Sequence, residues 1–403
     1  MMNRDLALLF STRIVRLFAY GFLSVVLALY LTQLALSEVQ IGLIFSLTLF
    51  GDAGVTLWIT TVADRLGRKR MLVLGAALMV LAGLAFLCSR NPLWLTIAAV
   101  VGVISPSGNE IGPFLSIEQA GLSSIVSDSL RTKVFAWYNL AGSLATAMGA
   151  LAGGWLSAGL QGHGFSEIFS YRVILACYAF AGFILIAIFL SLSSAIEVQQ
   201  VLNYKVGRLG LGKSRAVVLK LSSLFALDAF AGGFVLQSMI AVWFHVRFGV
   251  NAGVIGTIFF AANILAGISA LLAVPLAKKI GLIRTMVFTH IPSNVLLILV
   301  PLMPNLGLAI AMLLARFAIS QMDVPTRQSY LMAVVSPAER SAASGVTSIA
   351  RSLGAACSPS LAGLCLGVPA LLAFPFYFCG GLKIVYDLLL YREFKAVRTP
   401  EER

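Results

Sequence analysis

The sequence predicts an all-α integral membrane protein with twelve transmembrane helices in two pseudo-symmetric six-helix halves. Of its 403 residues, 59% are hydrophobic and only 11% are charged, whereas soluble domains carry about 25% charged residues. Apolar stretches long enough to cross a hydrocarbon core of about 30 Å recur along the whole chain. Short turns with Gly, Pro or charged residues separate these stretches, so the chain is predicted to cross a membrane many times.

Hydropathy and the turn residues give the bounds of the spans. The twelve predicted spans cover residues 7–33, 39–63, 71–88, 94–126, 132–160, 169–194, 215–247, 252–277, 282–301, 306–334, 338–367 and 370–392. The fourth span contains Pro106 and Pro113 within "SPSGNEIGP", where a helix either kinks or breaks in two. We expect a kink.

The basic residues indicate the orientation of the chain. A net charge of +13 would suggest nucleic-acid binding in a soluble protein, but here the Lys and Arg residues concentrate in alternate loops. Arg90, Arg172 and Arg247 are nearly all that the other loops contain. The positive-inside rule therefore places both termini in the cytoplasm, in a plasma (inner) membrane. Attraction to anionic lipid headgroups is a secondary expectation, and nucleic acid is not an expected partner.

Sequence motifs for enzymatic chemistry are missing. The five cysteines and three histidines show no metal-ligand spacing, so neither a metal nor another cofactor is expected. The stretch "GRLGLGKS" (207–214) fits the pattern G-x-x-x-x-G-K-[ST], but it lies in the polar linker between the halves and follows no predicted strand, so it is not read as a phosphate loop. Transport is therefore expected to be driven by an ion or solute gradient. Two alternatives from other classes stay open: a non-transporting membrane receptor, and an intramembrane enzyme with Glu110 and Asp228 as acid and base.

An internal repeat divides the chain. "ITTVADRLGRKRMLVLG" (59–75) has a weaker echo in "AVPLAKKIGLIRTMVFT" (273–289), and "AYGFLSVVLALYL" (19–31) in "AGGFVLQSMIAVW" (231–243). The predicted parts are an N-terminal six-helix half at 1–194, a cytoplasmic linker at 195–213 and a C-terminal six-helix half at 214–403. Duplicated halves of this kind place a substrate cavity at their interface.

The stretch "TTVADRLGRKR" resembles the loop motif between helices two and three of the major facilitator superfamily, usually written G-x-x-x-D-R-x-G-R-[KR]. Thr60 stands where that motif opens with glycine. The resemblance implies a secondary transporter in which this loop forms a latch between the halves on the cytoplasmic side. The implied gating residues are Asp64, Arg65, Gly67, Arg68 and Lys69. The alternative is a solvated loop that only fixes the topology.

A second, partial match lies in the fifth span. "MGALAGGW" resembles the G-P-x-x-G-G stretch in helix five of the superfamily's antiporters. Gly149, Gly153 and Gly154 match, whereas Ala150 replaces the proline. The chain is thus closest in motif to the drug/proton antiporter-like branch, and the resemblance implies export.

Asp52 is a lone carboxylate inside the second span. It lies 13 residues into that span, or about 20 Å from the outer end at 1.5 Å per residue, which is near the midplane. An ionised group at that depth costs about 3 kcal/mol unless it is paired, hydrated or protonated. Asp52 is therefore a candidate for substrate binding or proton coupling, and the alternative is a hydrogen-bonded packing aspartate.

Other charged residues lie at comparable depth in their spans. They are Arg16, Glu110, Asp228, Arg316, Asp323, Arg351, Lys383 and Asp387. In the superfamily, helices one, four, seven and ten line the cavity, which implies that Arg16, Glu110, Asp228 and Arg316 face the substrate. We expect Asp228 or Glu110 to carry the coupling proton. Lys383 and Asp387, four residues apart on one helix, are expected to neutralise each other.

The remaining candidates are expected at gates and seams. Glu118, Arg131, Arg327 and Arg340 lie nearer the cytoplasmic ends of their spans and are predicted to be gate or packing charges. In the superfamily, helices two and eleven meet across the seam between the halves. We therefore expect Asp52 and Arg351 to form a bridge in one access state that breaks in the other.

Together these features predict a secondary active transporter that moves a small organic solute by alternating access, through proton-coupled export. A proton-coupled importer of a small polar or anionic nutrient is the alternative within transport. The expected partners are a small-molecule substrate, a coupling proton and membrane lipid, and the chain is expected to be a monomer.

Overall fold

The computed structural model of the chain describes residues 4–110, 112–126, 128–197, 214–335 and 339–395. Across these ranges the regular structure consists of helices. The α-helices are α1 (Arg4–Ser24), α2 (Leu27–Gln33), α3 (Glu38–Leu66), α4 (Arg68–Cys88), α5 (Pro92–Val101), α6 (Phe114–Ile125), α7 (Asp128–Gly162), α8 (Glu167–Leu190), α9 (Arg215–Gly232), α10 (Gln237–Phe248), α11 (Ala252–Ile280), α12 (Leu282–Leu299), α13 (Leu306–Ser320), α14 (Asp323–Val334), α15 (Arg340–Cys357), α16 (Pro359–Leu366) and α17 (Phe374–Phe394). Short 3-10 turns lie at Ser194–Ile196, Gly233–Val235, Val300–Leu302 and Pro369–Leu371.

The helices account for the twelve predicted spans. Ten helical segments in the described part of the chain are long and apolar enough to cross a membrane. The fourth predicted span corresponds to α5 and α6 together, and the fifth corresponds to α7, a helix of 35 residues. The predicted all-α membrane fold with twelve spans is confirmed.

The fourth span breaks rather than kinks, so the expectation of a kink was wrong. The chain leaves the helix at Gly102 and re-enters it at Phe114. Between these points Gly108 and Gly112 have φ values of +69° and +80°, which L side chains rarely adopt and which no α-helix accommodates. A proline alone would only kink the helix. The turns at Gly108 and Gly112 interrupt it.

Hydrogen bonds from other parts of the chain make this break possible within a membrane span, where a backbone N–H or C=O group without a partner is energetically costly. The Ser238 backbone N–H donates to the Pro106 carbonyl at 3.1 Å, and the Gly112 N–H donates to Asp52 Oδ1 at 2.7 Å. The Tyr178 hydroxyl donates to the Val103 carbonyl. Side chains and backbone of other helices thus satisfy groups that a continuous helix would satisfy itself.

The chain forms two compact units, one of Met1–Asn203 with Leu236–Phe260 and one of Tyr204–Val235 with Ala261–Arg403. The seventh span is divided at the 3-10 turn Gly233–Val235, so α9 belongs to the second unit and α10 to the first. The halves at 1–194 and 214–403 rest on the internal repeat and stay a prediction.

In the first unit, α1 packs against α7 and α8, and α4 packs against α8. Two of the predicted helix-five glycines lie where the backbones of α7 and α1 approach each other. A Cβ on Gly149 would lie 2.1 Å from the Phe18 carbonyl oxygen, and one on Gly153 would lie 2.3 Å from the Phe22 carbonyl oxygen. Small residues four apart let two membrane helices approach to backbone contact. The glycines therefore fix how α7 lies on α1.

In the second unit, α9 packs against α15 and α17, while α12 packs against α13, α14 and α17. Its apolar core includes Val218, Leu221, Phe225, Met286, Tyr330 and Leu390. This arrangement brings polar positions of α9, α14, α15 and α17 close together, and these positions build one of the two charge clusters described next.

Candidate functional site

Four charged side chains of the first unit form one network, the first-unit charge cluster (Arg13, Arg16, Glu110 and Glu118). Arg13 and Arg16 lie one turn apart on α1. Glu110 lies in the break after α5, where the chain is free to turn its carboxylate toward α1. Arg13 Nη1 is 2.5 Å from Glu110 Oε2, and Arg16 Nε is 2.8 Å from Glu110 Oε1.

The other end of this cluster is fully enclosed. Arg16 Nη2 lies 2.7 Å from Glu118 Oε2, and both side chains have no exposed surface. Glu118 also accepts hydrogen bonds from Thr12 Oγ1 at 2.7 Å and from the Tyr138 hydroxyl. Two cations face two carboxylates, so the cluster is electrically neutral. A buried ion pair is tolerated when its remaining polar atoms are satisfied in this way.

Asp52 is not part of this network. Its Oδ1 accepts the Gly112 N–H at 2.7 Å and the Thr56 hydroxyl at 3.4 Å. Within the described ranges no Lys, Arg or His side chain pairs with it, although its side chain is half-buried on α3. Asp52 is therefore both a support of the broken fourth span and a carboxylate without a counter-ion.

The second unit contains its own network, the second-unit charge cluster (Asp228, Asp323, Arg327, Arg351 and Lys383). Asp228 on α9 is the centre. Lys383 Nζ lies 2.5 Å from Asp228 Oδ1, while Nη1 of Arg327 and Nη1 of Arg351 each lie 3.2 Å from Oδ2. Arg327 also pairs with Asp323 at 2.9 Å, one turn earlier on α14. One buried carboxylate thus holds cations from three helices.

The predicted pair of Lys383 with Asp387 is wrong. Lys383 reaches across to Asp228, and Asp387 instead lies 2.9 Å from His290 Nδ1. Asn294 Nδ2 donates to the other oxygen of Asp387 at 3.3 Å. The i, i+4 spacing permits the predicted pair, but packing of α17 against α9 and α12 supplies better-placed partners. Sequence reasoning missed His290 because it lies alone in an apolar span.

Arg316 differs from the other intramembrane arginines. It lies on α13, where its guanidinium stands over the neighbouring Phe317 ring at 5.0 Å. Its Nε is buried without a hydrogen-bond partner, and no carboxylate in the described part of the chain pairs with it. Asp323, predicted with it in the same span, belongs to the second-unit charge cluster instead.

The loop motif is held by a residue that sequence reasoning missed. Gly67, with φ +101°, ends α3 and starts α4. The Glu197 carboxylate accepts the backbone N–H groups of Arg68 at 2.7 Å and Lys69 at 3.1 Å. Arg68 Nη1 and Lys69 Nζ also donate to carbonyls, those of Ile196 at 3.0 Å and Leu192 at 2.9 Å. An anion at a helix N-terminus is a favourable arrangement, and here it fastens the segment after α8 to the loop.

The remaining predicted residues are placed as follows. The side chains of Asp64, Arg65 and Arg131 lie outside what the structure describes. Arg340 is exposed, and its Nε donates to the Met332 carbonyl at 3.0 Å. Glu118 and Arg327, predicted as gate or packing charges, join the buried clusters.

Gly154, the third predicted glycine of helix five, packs α7 against the start of α11. A Cβ on Gly154 would lie 2.4 Å from the Ala252 carbonyl oxygen, and one on Gly256 would lie 2.5 Å from the Ala150 carbonyl oxygen. The two helices touch backbone to backbone there. Trp155 Nε1 also donates to Thr257 Oγ1 at 3.0 Å.

Comparison with known proteins decides the family. The profile of the Major Facilitator Superfamily matches residues 9–359 and, in a second match, residues 221–403. The chain belongs to the major facilitator superfamily. As a member it is a secondary transporter with a small-molecule substrate rather than an enzyme.

The chain is also similar to individual proteins. An uncharacterized membrane protein of Saccharomyces cerevisiae, YJR124C, is 30% identical over 426 residues, which cover 98% of this chain and 95% of the relative. A mutant of the nucleoside transporter NupG has the same fold with a TM-score of 0.76 at 14% identity, covering 97% of this chain and 100% of that one. A bacterial homologue of the human lysosomal transporter Spinster, inward-facing and occupied, gives 0.74 at 18% identity with 98% of each chain covered. The D-xylose-proton symporter gives 0.72 at 13% identity, covering 99% and 98%.

Proposed function

We propose that this member of the superfamily is a proton-coupled exporter of a small organic solute, with Asp52 as the residue that takes up and releases the proton. The observation that carries the proposal is the half-buried Asp52 carboxylate, which accepts hydrogen bonds from Gly112 and Thr56 and has no counter-ion among the described residues. An ionised carboxylate in that position keeps its desolvation cost, and binding a proton removes that cost.

The sequence favoured Asp228 or Glu110 for this role. Because both of these carboxylates are paired with cations and Asp52 is not, we favour Asp52. Asp228 is held by three cations, and Glu110 by Arg13 and Arg16. Protonation of either would release cations inside the membrane, which costs more than protonation of an unpaired acid. With these partners, both carboxylates are better suited to hold helices together than to exchange protons.

The direction of coupling is tested with purified protein in liposomes. The vesicles are given a defined mixture of sugars, nucleosides, amino acids and organic acids, and mass spectrometry identifies what accumulates inside. An antiporter accumulates its substrate when the lumen is the acidic side, because protons leave as solute enters. A symporter does so when the exterior is acidic. Accumulation that ignores the pH gradient contradicts proton coupling.

The contact of Gly154 with Ala252 and Gly256 supports export, because the helix-five glycines are the part of the sequence that resembles the antiporters. The second candidate, proton-coupled import, is favoured by the ordered buried charges, which suit one polar or anionic nutrient. We also propose a plasma-membrane location with cytoplasmic termini, a monomeric state and contact of the basic loops with anionic lipid.

Asp52→Asn is expected to abolish accumulation driven by a pH gradient and to leave exchange of solute across the membrane. Asparagine keeps an oxygen that accepts the Gly112 N–H, so the broken span retains its support while the titrating group is lost. Gradient-driven uptake and counterflow are measured on the same vesicles. Wild-type accumulation by the variant would show that Asp52 has only the structural role. The predicted Asp52 to Arg351 bridge, formed in one access state and broken in the other, stays a prediction.

Glu197→Gln and Arg68→Ala are each expected to slow turnover while substrate binding stays within about twofold. Both substitutions loosen the loop between α3 and α4, and a latch of this kind controls the interconversion of access states rather than the binding site. Initial rates and equilibrium binding are compared at equal protein density. A matched control is Arg392→Ala, which removes an exposed charge at the end of α17. Wild-type rates in both variants would leave the loop with a topological role only.

A further inference from the structure

Within the described membrane spans of the second unit, the buried and half-buried Lys and Arg residues outnumber the buried and half-buried carboxylates by one. Its charge cluster sets Asp228 and Asp323 against Arg327, Arg351 and Lys383. Asp387, beside His290 on α12, supplies the third carboxylate, so these six residues balance when His290 is neutral. Arg316 is a fourth cation, and no carboxylate in this group is left to balance its charge.

The position of Arg316 on its helix argues against contact with lipid. Ala309, Leu313 and Ser320 are the buried residues of α13. Arg316 follows Leu313 by three residues and precedes Ser320 by four, so all of them lie on one helix face. That face is directed toward protein, since α13 packs against α12. A long basic side chain placed there has no direct route to the lipid headgroups.

A second polar group without a partner lies one turn away. Ser320 is 5% exposed, and its hydroxyl makes no hydrogen bond within the described ranges. Buried polar atoms are almost always satisfied, because each unsatisfied group costs about 1–3 kcal/mol. Arg316 Nε and Ser320 Oγ therefore mark a place on α13 where a ligand would supply the missing acceptors.

We propose that Arg316 and Ser320 bind the anionic group of the transported solute, which makes the substrate an organic anion. A carboxylate or phosphate has two coplanar oxygens for the guanidinium fork and a further lone pair for the serine hydroxyl. Binding such a group also neutralises the additional cation inside the membrane. The proposal rests on the transport function proposed above and adds the chemical class of the substrate.

The test begins with the protein without ligand. Arg316→Gln is expected to leave the melting temperature of the purified full chain unchanged or to raise it, since the substitution removes a partly buried charge that no described carboxylate pairs with. Circular dichroism confirms the helix content of the variant. A large fall in the melting temperature would show that Arg316 is held by a protein partner, and this result would overturn the proposal.

The second measurement uses probes in matched pairs: succinate with succinamide, benzoate with benzamide, and glucose 6-phosphate with glucose. At saturation at least one anion is expected to raise the melting temperature of the wild type by about 2 °C more than its neutral counterpart. Arg316→Gln is expected to weaken that binding roughly 10- to 100-fold, and Ser320→Ala to weaken it less. Inorganic phosphate alone, tested alongside, separates recognition of the anionic group from recognition of the whole solute.

Arg172→Gln is the matched control. Arg172 Nε is also buried without a partner, but the residue lies in the second turn of α8, near the end of its span. This variant is expected to keep the wild-type response to the anion. If no anion stabilises the wild type more than its neutral counterpart, or if both arginine variants respond alike, the anion site is ruled out. These measurements use a single pH and no gradient, so their failure leaves the proton-coupling role of Asp52 to its own test.

Discussion

Asp228→Ala is expected to destabilise the protein by about 3–5 kcal/mol, the cost of leaving a buried charge without its partner. The carboxylate of Asp228 faces Lys383, Arg327 and Arg351, and its removal takes away the described ion-pair partner of Lys383 and Arg351, while Arg327 keeps Asp323. The measurement is thermal unfolding of the purified protein in detergent. Asp228→Ala combined with Lys383→Met is expected to recover part of the loss, because one uncompensated cation is removed.

Glu393→Ala provides the control for this prediction. Glu393 pairs with Lys220 at an exposed position, where solvent screens the interaction. Its removal is expected to change the melting temperature little. Similar melting temperatures for Asp228→Ala and Glu393→Ala would contradict a central structural role for the second-unit charge cluster.

Gly149→Val is expected to destabilise the protein by at least about 2 kcal/mol and to abolish transport, because the side chain has no room. Its Cβ would lie 2.1 Å from the Phe18 carbonyl oxygen, which is backbone and cannot rotate away. Helices α1 and α7 would have to separate, and Arg13 and Arg16 on α1 would move with them. Thermal unfolding and uptake are measured on the same preparation.

Gly159→Val lies in the same helix and serves as the matched control. A Cβ on Gly159 would meet no atom within 4 Å, so the same substitution there tests only the change in helix propensity. Its melting temperature and uptake are expected to stay close to wild type. Equal effects at the two positions would show that backbone contact between α1 and α7 is not what the glycine provides.

The sequence predicted the fold class because hydropathy and the alternation of basic loops are properties of single segments. It also pointed to Arg16, Glu110 and Asp228, which belong to the two charge clusters, since a charge inside an apolar span is visible without a structure. Partners were harder to predict. Lys383 has a suitable carboxylate four residues away, yet it reaches to Asp228 on another helix. Pairing depends on which helix faces meet, and local spacing does not contain that information.

Sequence reasoning missed Glu197 and Arg13 because the partners of both residues lie far away in the sequence. Glu197 follows the last turn of α8 in a polar stretch, where a single carboxylate does not stand out. Arg13 lies one turn before Arg16 and contacts Glu110 only because the fourth span breaks. The break itself depends on hydrogen bonds with Asp52, Ser238 and Tyr178, which lie far away in the sequence. Local composition showed that the helix was weak there, but not that other helices would support its interruption.

The guanidinium of Arg316, which has no carboxylate partner among the described residues, is expected to make the carrier sensitive to voltage. Moving one elementary charge through a membrane potential of 100 mV changes the free energy by about 2.3 kcal/mol. Arg316 lies 11 residues into α13, well inside its span, so a change of access that shifts it along the membrane normal does electrical work. Binding an anion neutralises the charge of Arg316, so the contribution of this residue to the work disappears in the loaded step. That contribution is thus expected in the return of the carrier without solute.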